Sequence, residues 1–195
     1  MKFMHVAFLA SICFLAGCGE DHNITVVKNQ KDNFFKGNTY GDVLSNWSMC
    51  ESTNWEALSG NDKDIVKFTC VNKNLNDYIS KIQTDMEVGF ENKEKRKPSD
   101  IELKEINEFL NLSKVQEAFY FKVKDDRALP YKTGTEYFWS DGQSGYDDEY
   151  PITMFTNVAA NSNDFYLMKT RNYLGDQYIP LRYNYIMHLF KRIKN

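Results

Sequence analysis

The period of the hydrophobic positions changes several times along the chain, and each change predicts an element. The first apolar block runs from Val6 to Leu15, broken only by Ser11, and follows the single cation Lys2. It is too short to span a bilayer and has the form of a secretory signal. The run Ile24-Thr25-Val26-Val27 is β-prone and predicts a first strand. Behind Thr39, a good N-cap residue, Tyr40, Val43, Leu44 and Trp47 recur at three- and four-residue steps. That spacing predicts a short helix over 40–49. Residues 55–58 and 65–71 read as two strands of a hairpin around the turn Ser59-Gly60-Asn61-Asp62. Tyr78, Ile79, Ile82 and Met86 then restore the helical period over 74–86.

The charged stretch Glu91-Asn92-Lys93-Glu94-Lys95-Arg96-Lys97 and the following Pro98 mark the best internal boundary. The expected organisation is a helix-plus-hairpin subdomain over 24–90, a linker over 91–98 and an α+β subdomain over 99–195. Ser99-Asp100-Ile101-Glu102 is a capping box, and Leu103, Ile106, Phe109 and Leu110 form the buried stripe of the helix it starts. After Ser113 the period falls to two: Phe119, Phe121 and Val123 alternate with Tyr120 and Lys122. Further strands are expected at 135–139, 152–158 and 165–170, with turns at Asp125-Asp126, Ser140-Asp141-Gly142 and Asn161-Ser162-Asn163. Tyr183, Ile186, Met187, Phe190 and Ile193 share one face of a last predicted helix over 182–194, expected to cover the sheet. The fold class is therefore α+β, an antiparallel sheet packed by short amphipathic helices.

The end of the first apolar block, Leu15-Ala16-Gly17-Cys18, resembles the processing site of bacterial lipoproteins. The resemblance implies removal of residues 1–17, lipidation (palmitate included) of Cys18, and a tether over 18–23 that joins the body to the membrane. It places the protein in the cell envelope, facing the periplasm or the outside. In this family an aspartate directly after the lipidated cysteine favours the inner membrane; Gly19 stands there, which implies the outer membrane. Cys13 would leave with the signal and Cys18 would carry lipid, leaving Cys50 and Cys70 as one pair in an oxidising compartment. A disulfide between them, tying the first helix to the second hairpin strand, would contribute about 3 kcal/mol. The segments Thr39-Tyr40-Gly41-Asp42-Val43-Leu44, Trp55-Glu56 and Val66-Lys67-Phe68-Thr69-Cys70 also resemble small helix-plus-sheet modules of envelope lipoproteins. No functional residue is carried over from that likeness.

The formal charge of −3 disfavours nucleic-acid binding, which needs a basic surface. Metal or cofactor binding is not expected: His22 and His188 stand far apart, and closely spaced ligand pairs are missing. Asp141, Asp147, Asp148 and Glu149 lie in a glycine-bearing stretch, but their spacing does not match a calcium loop and predicts a solvated acidic loop. The phosphate loop, the nucleophile elbow and the zinc-protease helix motif are all missing from the sequence, so an enzyme is not expected. The expected function is a membrane-anchored protein-binding or assembly module. Its partners would be the membrane, through Cys18, and an envelope protein met by Tyr120, Tyr137, Trp139 and Tyr146. One alternative is an exclusion, immunity or inhibitor lipoprotein acting against phage, plasmid transfer or a cell-wall hydrolase. Another is a glycan or wall hydrolase, which would require two facing carboxylates.

Overall fold

The computed structural model describes residues 20–161. The expected signal over 1–17, Cys18, the strand expected at 165–170 and the helix expected at 182–194 lie outside the described residues. Five strands form one antiparallel sheet in sequence order: β1 (Cys50–Ala57), β2 (Ile65–Asn72), β3 (Leu112–Lys124), β4 (Arg127–Trp139) and β5 (Ser144–Glu149). The helices are α1 (His22–Asn29), α2 (Tyr40–Ser45), α3 (Leu75–Glu94), α4 (Asp100–Phe109) and α5 (Pro151–Ala159). The α+β class holds.

Local chemistry explains where elements begin. Thr39 accepts from the amide of Asp42 while Asp42 reaches back to the Thr39 amide, and Ser99 and Glu102 do the same for α4. The chelated pair of hydrogen bonds from Arg96 to Glu102, with Ser99 adding to it, holds the Glu102 carboxyl down to about 2. The turn Asp125-Asp126 puts both residues at positive φ, which suits a two-residue hairpin loop joining β3 to β4.

Two expected strands are helices. In place of a strand at 24–27, α1 starts at Asp21, whose carboxylate accepts from the amides of Asn23 and Ile24. Ile24 and Val27, three apart, are then buried on one helical face. The segment expected as a tether over 18–23 overlaps this helix, since His22 and Asn23 already belong to α1. In place of a strand at 152–158, Pro151 opens α5 and Met154, Phe155 and Val158 turn inward at helical spacing. β1 begins at Cys50 rather than near Trp55. Its first residues are polar and exposed, and only backbone pairing to β2 marks them as a strand. The helix expected over 40–49 ends at Ser45, although Trp47 and Met49 remain buried beyond it.

The charged segment 91–98 does not interrupt the sheet. Residues 91–94 are the last turn of α3, and β2 pairs with β3 from Ile65–Lys122 to Val71–Gln116 across the expected boundary. Helices α3 and α4 meet in one apolar cluster with Val115, Tyr137 and Trp139. A second cluster joins Ile24, Val27, Tyr40, Leu44 and Trp47 to Phe68, Phe119, Phe121 and Phe155. Both clusters use the same side of the sheet, because 115, 119 and 121 on β3 and their register partners share one face. A buried phenyl ring of this kind contributes about 1.5–3 kcal/mol, so the fully buried Phe68, Phe119 and Phe121 dominate this layer.

Cys50 and Cys70 form a disulfide with Cα atoms 5.1 Å apart. It ties the start of the edge strand β1 to β2, not a helix to β2, because Cys50 is already a strand residue.

Candidate functional site

Register places successive β3 side chains on opposite faces, and the two faces differ in chemistry. On the helix-covered face, one row reads Trp55, Phe68, Phe119, Thr133, Glu149 across the five strands. The next reads Thr53, Cys70, Glu117, Thr135, Asp147. Carboxylates thus enter the layer between the two apolar clusters. Thr135 Oγ1 lies 2.8 Å from Oε2 of Glu117 and 2.8 Å from Oε1 of Glu149. A hydroxyl carries one hydrogen and can donate to only one of them, so the other contact requires a protonated carboxyl that donates to Thr135. Glu117, only 3% exposed, is that acid: burial raises its pKa well above the ordinary glutamate value, and the charge of Glu149 raises it further. Burial also pushes Glu149 up, against the opposing effect of its Thr135 hydrogen bond.

The opposite face carries no described helix. Its side chains include Lys67, Gln116, Tyr120, Lys132, Glu136 and Tyr146, brought together from four strands. Glu136 is the hub. Its Oε1 accepts from Lys67 Nζ at 2.6 Å and from Tyr120 Oη at 3.0 Å, and its Oε2 accepts from Gln116 Nε2. Burial would raise the Glu136 carboxyl, but the Lys67 and Gln116 hydrogen bonds outweigh it and hold the pKa below the ordinary value. Burial likewise lowers Lys67, and the bond and charge of Glu136 more than reverse that. Tyr120 is raised by burial and by the Glu136 charge. At neutral pH this array is an ion pair with a neutral phenol.

Aromatic and cationic groups extend the array. Tyr120 and Tyr146 meet edge to face at 6.3 Å, and Lys132 Nζ stands 3.8 Å from the centroid of the Tyr146 ring. Lys132 also reaches Asp148 at 3.4 Å. The Tyr146 ring lies over Gly134: a Cβ there would be 2.6 Å from the ring and 2.1 Å from the Asp147 carbonyl oxygen. Glycine is needed at 134 for this close approach of the ring to the backbone.

Of the four expected contact aromatics, the structure brings Tyr120 and Tyr146 together on the open face. Tyr137 and Trp139 are 3% and 2% exposed and belong to the α3–α4 cluster, so they offer no contact surface. From Thr133 to Trp139 the odd positions of β4 point inward, whereas Tyr120 and Tyr146 point out. The expected acidic loop is mostly strand β5. Its alternation sends Asp147 and Glu149 to the covered face and Asp148 to the open one, while Asp141 accepts from the Gln143 amide in the turn. Lys67, Gln116, Lys132 and Glu136 were missed by sequence reasoning. The alternation of Tyr120 and Lys122 with Phe119 and Phe121, carried back to 116, marks Gln116 as outward-facing, whereas Lys67, Lys132 and Glu136 join it only through the register between strands.

Comparisons with protein-family models, with curated proteins and with solved structures give no match. Among the described residues no helix is long and apolar enough to cross a membrane.

Proposed function

We propose that the protein is a lipid-anchored binding module of a bacterial envelope, held at Cys18 and engaging a protein partner through the open sheet face. The observation that carries this reading is the Glu136-centred array. Ionic and aromatic groups from four strands are organised on a face that no described helix covers, while the helices and both apolar clusters occupy the other side. Half-buried tyrosines with a fixed lysine beside them suit protein recognition, because little side-chain freedom remains to be lost on binding. The processing-site resemblance at Leu15-Ala16-Gly17-Cys18 supports the anchor. Glu117 and Glu149 face the core rather than a cleft, which favours binding over carboxylate-based hydrolysis.

Affinity capture of the full-length lipoprotein from envelope extracts, compared with Tyr120→Ala and Lys132→Glu, tests the assignment. One envelope protein captured by the parent chain, and at least ten-fold less by both variants, is the expected result. Equal capture by all three would overturn the open face as the contact surface. The identity of the captured protein separates an assembly role from inhibition of a hydrolase.

A further inference from the structure

Three residues, Gly19, Glu20 and Asp21, close the distance between Cys18 and α1. Fully extended, they allow about 11 Å between Cys18 and the helix cap Asp21. The start of α1 is fixed at one end of the sheet. His22 Nε2 lies 3.0 Å from Asp126 Oδ1 in the β3–β4 turn, and Asn23 Nδ2 donates to the Lys63 carbonyl, at 3.0 Å, in the β1–β2 connection. An anchor at Cys18 therefore holds this end of the sheet at the bilayer.

The same end carries an exposed apolar corner. β5 leaves β4 at the Thr133–Glu149 pair, so residues 127–132 of β4 have no strand on their outer side among the described residues. Leu129 is 61% and Tyr131 59% exposed on this free half, with Pro130 between them. Tyr150 and Ile152, 82% and 62% exposed, follow directly on the Thr133–Glu149 pair, where the chain turns from β5 into α5. Lys124 and Arg127 face each other across the β3–β4 hairpin beside it, both exposed, with the exposed Asp125 and Asp126 in the turn between them, so the hairpin tip carries no net charge. Exposed leucine, isoleucine and tyrosine side chains close to an anchor form the composition that settles at a headgroup boundary.

We propose that this corner is a lipid-contact surface: Leu129, Tyr131, Tyr150 and Ile152 rest against the bilayer and, with the anchor at Cys18, fix the orientation of the body. The inference rests on the lipid-anchor reading above. It makes the strands rise from the membrane and presents the open face sideways, clear of the headgroups, with the β4–β5 turn at the far end.

The test uses the full-length acylated protein in vesicles of phosphatidylethanolamine and phosphatidylglycerol, its acyl content read by mass. Tyr131→Cys and Gln143→Cys, one at the corner and one in the far turn, each carry an environment-sensitive fluorophore, quenched in turn by nitroxide-bearing lipid and by aqueous iodide. Lipid quenching several-fold stronger at 131 than at 143 is expected. Equal lipid quenching at the two positions, with Cys18 acylated, overturns the proposal and leaves the anchor standing. A label at 131 shielded from both quenchers would mean that protein, either residues 162–195 or a second copy, covers the corner, and also overturns it. Protein without an acyl group at Cys18 overturns both readings.

Discussion

Glu117 and Glu136 lie on neighbouring strands, face opposite sides of the sheet and titrate in opposite directions. The folded chain keeps a proton on Glu117 that the unfolded chain releases near the ordinary glutamate value, about 4.3. Its contribution to stability is therefore full below that value and falls as pH rises towards the higher folded pKa. Glu136 is depressed, so its contribution is present above the ordinary value and lost as pH falls through the lower folded one. Glu117→Gln, which can donate to Thr135 at any pH, is expected to reduce the alkaline-side decline, leaving the part due to Glu149, while keeping the acid limb, as read by urea midpoints from pH 3 to 8. An unchanged profile would mean that Glu117 is not the buried acid. Tyr146 adds a second residue-scale test. Its hydroxyl is buried without a hydrogen-bond partner among the described residues, so Tyr146→Phe should stabilise by up to about 1 kcal/mol in the same assay. Gly134→Ala, which drives a methyl into the Asp147 carbonyl and the Tyr146 ring, should cost about 1–3 kcal/mol.

Elements were legible where a cap and a period agreed. Thr39 and Ser99 each combine a capping box with a following apolar stripe, and both helices start where the sequence predicts. Thr39→Ala and Ser99→Ala should each lower stability by about 1 kcal/mol in thermal unfolding. The runs at 24–27 and 152–158 misled because β-branched and aromatic residues in short segments fit either period. Asp21 and Pro151, each just ahead of its run, carried the deciding information. β1 was half hidden for a different reason. Cys50, Glu51, Ser52, Thr53 and Asn54 have no apolar alternation, and their strand exists through pairing with β2 and the disulfide. Replacing both Cys50 and Cys70 by alanine should cost about 3 kcal/mol in urea denaturation. An unchanged midpoint would show that β1 holds without the link. Charged residues 91–98 looked like a boundary because mixed charge is common to linkers and to exposed helix ends. Only the long-range pairing of β2 with β3, which local sequence does not report, separates the two cases.

At the scale of the whole molecule, the sheet divides the work. Every described helix that contributes to the core lies on one face, and the other presents a fixed arrangement of Lys67, Tyr120, Lys132, Glu136 and Tyr146. The alternation in β3 already sorted Phe119 from Tyr120, but assembling the array required the register of four strands, which places Glu136 opposite both Gln116 and Tyr146. The same register explains why Tyr137 and Trp139 serve packing. Site-resolved photo-cross-linking in intact cells, with the native anchor retained, tests the central claim most directly. A photoreactive side chain at 148, exposed on the open face beside the array, is compared with one at 105, an exposed position on α4. The account predicts one dominant cross-linked envelope protein from position 148 and none from 105; the same product from both positions, or a product from 105 alone, would contradict it.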